Sequence, residues 1–140
     1  MSAESEFFRL ESEHILKTVS FIEDLLEKQE WSFYETIAMG KLLQDIYMGV
    51  ENIVRCQLKR QQIPIPKTED WHRQMLQLAL KENLLSELHW QGFKELLSFR
   101  HAHIHGYGHM LKPDRLRELA APVPALTREY LSELASREGL

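Results

Sequence analysis

Across the first 60 residues, apolar side chains return every three or four positions with one interruption near Ser32, and this period commits the chain to helices. In residues 5–29, Phe8, Ile15, Val19, Ile22, Leu25 and Leu26 fall on one stripe. In residues 32–60, the stripe is Ile37, Leu42, Leu43, Ile46, Val50, Ile53, Val54 and Leu58. A strand would alternate every second residue, and no run of alternating β-branched residues bounded by turns occurs in the sequence. Ser32, with Glu35 three residues on, has the pattern of a capping box and opens the second helix. Gly40 and Gly49 lie inside that helix, each at a cost of about 1 kcal/mol relative to alanine. We read them as points of close helix packing.

The rest of the chain continues in shorter pieces. Pro64 and Pro66 make Gln61–Lys67 a connection. Thr68 then caps a short helix over residues 69–82, with Trp71, Met75, Leu78 and Ala79 inward. Ser86, with His89 three residues on, opens a fourth helix carrying Leu88, Phe93, Leu96, Leu97 and Ile104, which Gly106 and Gly108 bring to an end. Pro113 and Asp114 start another turn of helix through Leu116 to Ala121. Pro122 and Pro124 interrupt the chain before a last amphipathic segment with Leu126, Tyr130, Leu131 and Leu134. A helix apolar along one stripe must bury it against other helices. The expectation is an all-α, antiparallel, up-and-down bundle of five to six helices, one domain over residues 1–140.

Charge and cysteine content narrow the function classes. The net charge of −4 argues against broad, nonspecific nucleic-acid binding. The charge is uneven: residues 1–30 carry eight carboxylates against three cations, a net −5, while residues 99–117 carry four cations against one carboxylate, a net +3. The single cysteine, Cys56, lies among Ile53, Val54 and Leu58 and reads as a buried or half-buried, inert thiol suited to a reducing compartment. The absence of a charged-then-apolar leader and of an apolar run of membrane-spanning length gives the cytoplasm as the expected location, with no membrane partner.

The chemistry concentrates in residues 99–109, where four of the seven histidines (His101, His103, His105 and His109) accompany Arg100 and Tyr107. A metal site is one reading, since His101, His105 and His109 are spaced four apart. Gly106 and Gly108 break that register, and no carboxylate or cysteine stands nearby in sequence to complete a ligand set. No metal and no other cofactor is therefore expected. Phosphate chemistry is a second reading. Arg100 offers a planar, permanently charged fork for a phosphate, and a histidine moves a proton in either direction near neutrality. On an ideal helix Arg100 and His105 stand about 140° apart, with His101 between them and Tyr107 close under Arg100. One copy thus presents these groups along a broad face, which a second copy about a two-fold axis would close into a cleft. In a third reading, the histidines merely favour the helix dipole at a C-terminus.

The spacing Arg100-x4-His105-x-Tyr107 resembles the Arg-x4–6-His-x-Tyr motif of HEPN-domain proteins, in the branch of HepT-like toxins. His101 fills the place of the polar residue usual after the arginine. The long second helix, the proline loop, the short third helix and the two C-terminal helices resemble that family along nearly the whole chain. The resemblance implies a homodimer with the motif at a shared cleft. It also implies metal-independent endoribonuclease activity on an RNA substrate, with Arg100 and His105 catalytic and His101 in support. Its implied partner is a minimal nucleotidyltransferase antitoxin, which in such systems attaches AMP to the motif tyrosine, here Tyr107. The glycines flanking Tyr107, and the additional His103 and His109, depart from the pattern. A non-catalytic HEPN-like module, binding a nucleotide or a nucleotidyltransferase through the same face, is the alternative.

Overall fold

The boundary expected at Ser32 is present in the computed structural model, which describes residues 2–102 and 112–140. The Ser32 hydroxyl accepts from the Glu35 N–H at 3.1 Å, and the Glu35 carboxylate accepts from the Ser32 N–H at 2.8 Å. This reciprocal pair separates α1 (Ala3–Leu26) from α2 (Phe33–Arg60). The turn between them is closed from outside by Arg117, whose guanidinium donates to the carbonyls of Leu26, Lys28 and Gln29 and lies 4.3 Å from the Trp31 ring centroid. α1 and α2 pack antiparallel. Glu4 faces Arg60, Glu11 accepts from Asn52 at 3.0 Å, and Lys28 pairs with Glu35 at the opposite end. Gly49 faces Ile15 midway, where a Cβ would stand 2.5 Å from Ile15 Cγ1, so the glycine permits the approach of the two backbones.

Four shorter helices complete the bundle: α3 (Trp71–Lys81), α4 (Glu87–Ala102), α5 (Pro113–Ala120) and α6 (Val123–Glu138). The His89 N–H donates to the Ser86 hydroxyl at 3.1 Å, as a capping serine would have it. Pro124 sits at the second position of α6, where no helical N–H is needed. α6 runs antiparallel to α1, with Glu23 paired to Arg128, and antiparallel to α4, with Gly92 of α4 seated against Leu126. The fold is an all-α bundle, and no strand occurs among the described residues.

The core is drawn from the expected stripes, including Phe8, Ile15, Val19 and Ile22 of α1 and Leu43, Ile46, Val50, Ile53, Val54 and Leu58 of α2. Three local expectations are corrected. Thr68 does not cap α3: the helix starts at Trp71 after Asp70, with no side-chain cap, and it is the Thr68 carbonyl that accepts from the Trp71 N–H. Ile37 and Leu88 lie off the buried face and are exposed, while their sequence neighbours Thr36 and His89 are buried. Leu76 is buried more deeply than its neighbours Trp71 and Leu78. Ile104 and the terminating glycines 106 and 108 lie outside the described residues. No helix of the described residues is long and apolar enough to cross a membrane.

Candidate functional site

Arg100 is half-buried near the end of α4 as described, and His101 beside it is exposed. His105 and Tyr107, like His103 and His109, lie outside the described residues. Of the expected site, the structure therefore places Arg100 and His101. The Arg100 guanidinium stands 6.0 Å from the ring centroid of Tyr47 on α2, within reach of a cation–π attraction. Tyr47 is fully buried. Burial pushes its hydroxyl well above the ordinary tyrosine value; the negative charge of Glu51 adds to the shift and the Arg100 charge opposes it. The ring is thus a neutral floor under the guanidinium.

Glu51, one helical turn further along α2, is buried as well. A carboxylate in such a place needs a partner, and Glu51 has one in His72 of α3, whose Nδ1 lies 2.7 Å from its Oε2. His72 stacks on Trp71 with ring centroids 3.6 Å apart. Arg55, another turn along α2, holds its guanidinium 5.4 Å from the Trp71 ring centroid. Tyr47, Glu51, Arg55 and Lys59 are each four residues apart, so their row winds slowly around α2 over about 18 Å.

Two open grooves flank the far end of this row. The larger, about 730 Å³, runs between α1, α2 and the proline loop and is lined by Arg55, Lys59, Asn52 and the apolar surface of Phe7, Ile63 and Ile65. The smaller is lined by Arg55, Ile65, Lys67 and Trp71. Neither has a carboxylate in its lining, although the protein is acidic overall. Cys56, half-buried in the larger groove, has its thiol pushed above the ordinary value by burial, so it is a poor nucleophile.

The cations at these grooves lie outside the basic stretch 99–117, within which Lys112 and Arg115 are exposed. Arg117, counted in the positive stretch 99–117, is spent on the α1–α2 turn. The cations at the grooves come instead from α2 and the proline loop. Sequence reading also missed Tyr47, Glu51 and His72. The signal was present: Glu51 falls on the apolar stripe between Tyr47 and Val54, and an acidic residue at a core position implies a buried partner.

Comparison with known proteins follows the same architecture. A family model described as HepT-like protein matches residues 38–137. No curated protein matches the chain. A solved crystal structure of a toxin-antitoxin with AMP-PNP is similar in fold, with a TM-score of 0.81 at 14% sequence identity, covering 94% of this chain and 98% of that chain.

Proposed function

Because the chain belongs to the HepT-like protein family, we propose that it is the toxin of a toxin–antitoxin pair, a metal-independent endoribonuclease that an antitoxin silences by attaching AMP to Tyr107. The observation that carries this reading is the seat of Arg100 at the end of α4, over the neutral Tyr47 ring and at the head of the α2 row that leads to the basic grooves. A guanidinium held there can receive a phosphate, while Arg55, Lys59 and Lys67 hold the flanking backbone.

The chemistry needs three parts. A base takes the proton from a ribose 2′-hydroxyl, whose oxygen attacks the adjacent phosphorus. The 5′-oxygen leaves with a proton from an acid, and a cation stabilises the added negative charge on the phosphoryl oxygens. His105 serves as base or acid, Arg100 as the cation, and His101 as orienting or auxiliary group. A homodimer supplies the opposing face of the cleft, and so a second set of these groups. The antitoxin partner is a minimal nucleotidyltransferase. An adenylate on Tyr107 adds a bulky negative charge beside Arg100 and His105, which excludes an RNA phosphate by volume and by repulsion. The structural likeness to a toxin-antitoxin crystallised with AMP-PNP supports a partner that handles an adenine nucleotide. Action on cellular RNA places the protein in the cytoplasm.

Expression and intact-mass measurement test the proposal together. Without the partner, the chain arrests growth, and Arg100→Ala relieves the arrest. With the partner, its mass rises by one or more adenylate units, and Tyr107→Phe abolishes the gain. Growth arrest that Arg100→Ala leaves intact would remove Arg100 from the mechanism. A chain that neither arrests growth nor cleaves RNA but still binds a nucleotidyltransferase would be the non-catalytic module.

A further inference from the structure

At the opposite end of α4 from Arg100, a second polar cluster joins α4 to α6. His89, the third residue of α4, has no exposed surface. Phe93 and Tyr130 pack around its ring, with centroids 6.4 and 5.9 Å away. Neither ring nitrogen has a hydrogen-bond partner among the described residues. Two carboxylates from successive turns of α6 face it instead: Glu133 Oε2 is 3.5 Å from Nδ1, and Glu129 Oε1 is 3.9 Å from Nε2. Both glutamates are about half exposed, at 58% and 46% for Glu129 and Glu133, so solvent reaches the cluster from their side.

These separations are too long for charge-assisted hydrogen bonds, which run at about 2.7–2.9 Å. They are measured at different ring nitrogens, so an ion would bind one nitrogen and the carboxylate at the other would turn towards it. Around a tetrahedral metal with bonds of about 2.0–2.2 Å, neighbouring ligand atoms lie about 3.3–3.6 Å apart. One ligand atom from each of His89, Glu129 and Glu133 already lies within 4.8 Å of the other two. Small rotations of the two exposed glutamates would close the set. The charge balance also fits, because two carboxylates and a neutral imidazole cancel a divalent ion in a half-buried place.

We propose that His89, Glu129 and Glu133 form a site for a divalent first-row transition metal of the zinc type, with a water in the fourth position. The mixed nitrogen and oxygen donors select such an ion over magnesium or calcium, which prefer oxygen alone. The metal ties the start of α4 to the middle of α6. The site stands about 16 Å along α4 from Arg100, so its role is to hold the helix that carries Arg100 and not to act on substrate. It does not depend on the proposed ribonuclease reading.

Zinc titration of the chelator-stripped protein tests this, followed by calorimetry and by thermal melting. To keep the clustered histidines from binding metal themselves, the background carries His101→Gln, His103→Gln, His105→Gln and His109→Gln. The expected result is one zinc per chain and a rise in Tm on binding. Glu129→Gln and Glu133→Gln, both at exposed positions that leave the core intact, each weaken binding roughly tenfold or more, and the double variant loses the Tm rise. Cobalt in place of zinc gives visible absorption bands that vanish in the same variants. Absence of saturable binding, or binding unchanged in Glu129→Gln/Glu133→Gln, overturns the proposal.

Discussion

Single residues carry most of the electrostatics of this bundle, and Tyr47 shows how. Burial holds its hydroxyl neutral beyond the ordinary tyrosine value of 10.0, and Tyr130, fully enclosed between α4 and α6, is shifted the same way for the same reason. The consequence for stability has a definite sign. In the unfolded chain both phenols ionise near pH 10, whereas the fold retains their protons. Their contribution is complete below pH 10 and is lost as pH rises above it. Urea unfolding across the alkaline range should show the midpoint falling with pH, and Tyr47→Phe should fall less steeply than wild type. Equal slopes in both proteins would contradict the assignment. Glu51 makes a second prediction at this scale. Glu51→Ala removes the buried partner of His72, and a loss of about 1.5–3 kcal/mol is expected from the urea midpoint, the usual size for a buried hydrogen bond to a charged group.

At the scale of the element, α2 is the helix to which the others are fitted. Gly49 sets how closely α1 approaches it. Gly49→Ala places a methyl against Ile15 Cγ1 and Cδ1, at 2.5 and 2.7 Å, and Ile15 is fully buried. Overpacking of this kind costs about 1–3 kcal/mol, partly offset by the better helix propensity of alanine. In an Ile15→Ala background the substitution should be neutral or stabilising, and a double-mutant cycle on urea midpoints reads that coupling. The helices themselves were legible because the period of Phe8–Leu26 and Leu43–Leu58 and the Ser32–Glu35 box are local signals. Thr68 was misread because whether its hydroxyl or its carbonyl meets the α3 N–H groups depends on how the proline loop docks. Ile37 and Leu88 differ from expectation because an apolar period fixes the buried face only to within about a residue: the adjacent polar Thr36 and His89 take the inward places.

At the scale of the whole molecule, the candidate site is partly legible in the sequence, and of its four residues the structure describes Arg100 and His101. Arg100, His101, His105 and Tyr107 announce themselves by spacing within eleven residues. The floor beneath Arg100 and the cationic track beside it come from Tyr47, Glu51, Arg55 and Lys59, fifty residues earlier, and from His72 across a connection. Only the packing of α2 against α3 and α4 brings them into line. That line makes a prediction about binding. In a His105→Ala background, which slows turnover, Arg55→Ala/Lys59→Ala should weaken single-stranded RNA binding and lower the slope of log K against log salt by about 1.4, as two lost phosphate contacts on a single strand require. Fluorescence anisotropy over a salt series reads both quantities, and an unchanged slope would take the grooves out of the RNA path.

We propose that this bundle cleaves RNA by acid–base chemistry of His105, with Arg100 at the end of α4 as the cation. The most direct test is cleavage of a defined RNA by the purified chain in chelator-containing buffer, at a temperature well below the unfolding transition. Wild type should cut, leaving a 2′,3′-cyclic phosphate and a free 5′-hydroxyl. His105→Ala, with its circular dichroism unchanged, should be slower by roughly 10²–10⁴-fold. Cleavage by His105→Ala at the wild-type rate would contradict the account.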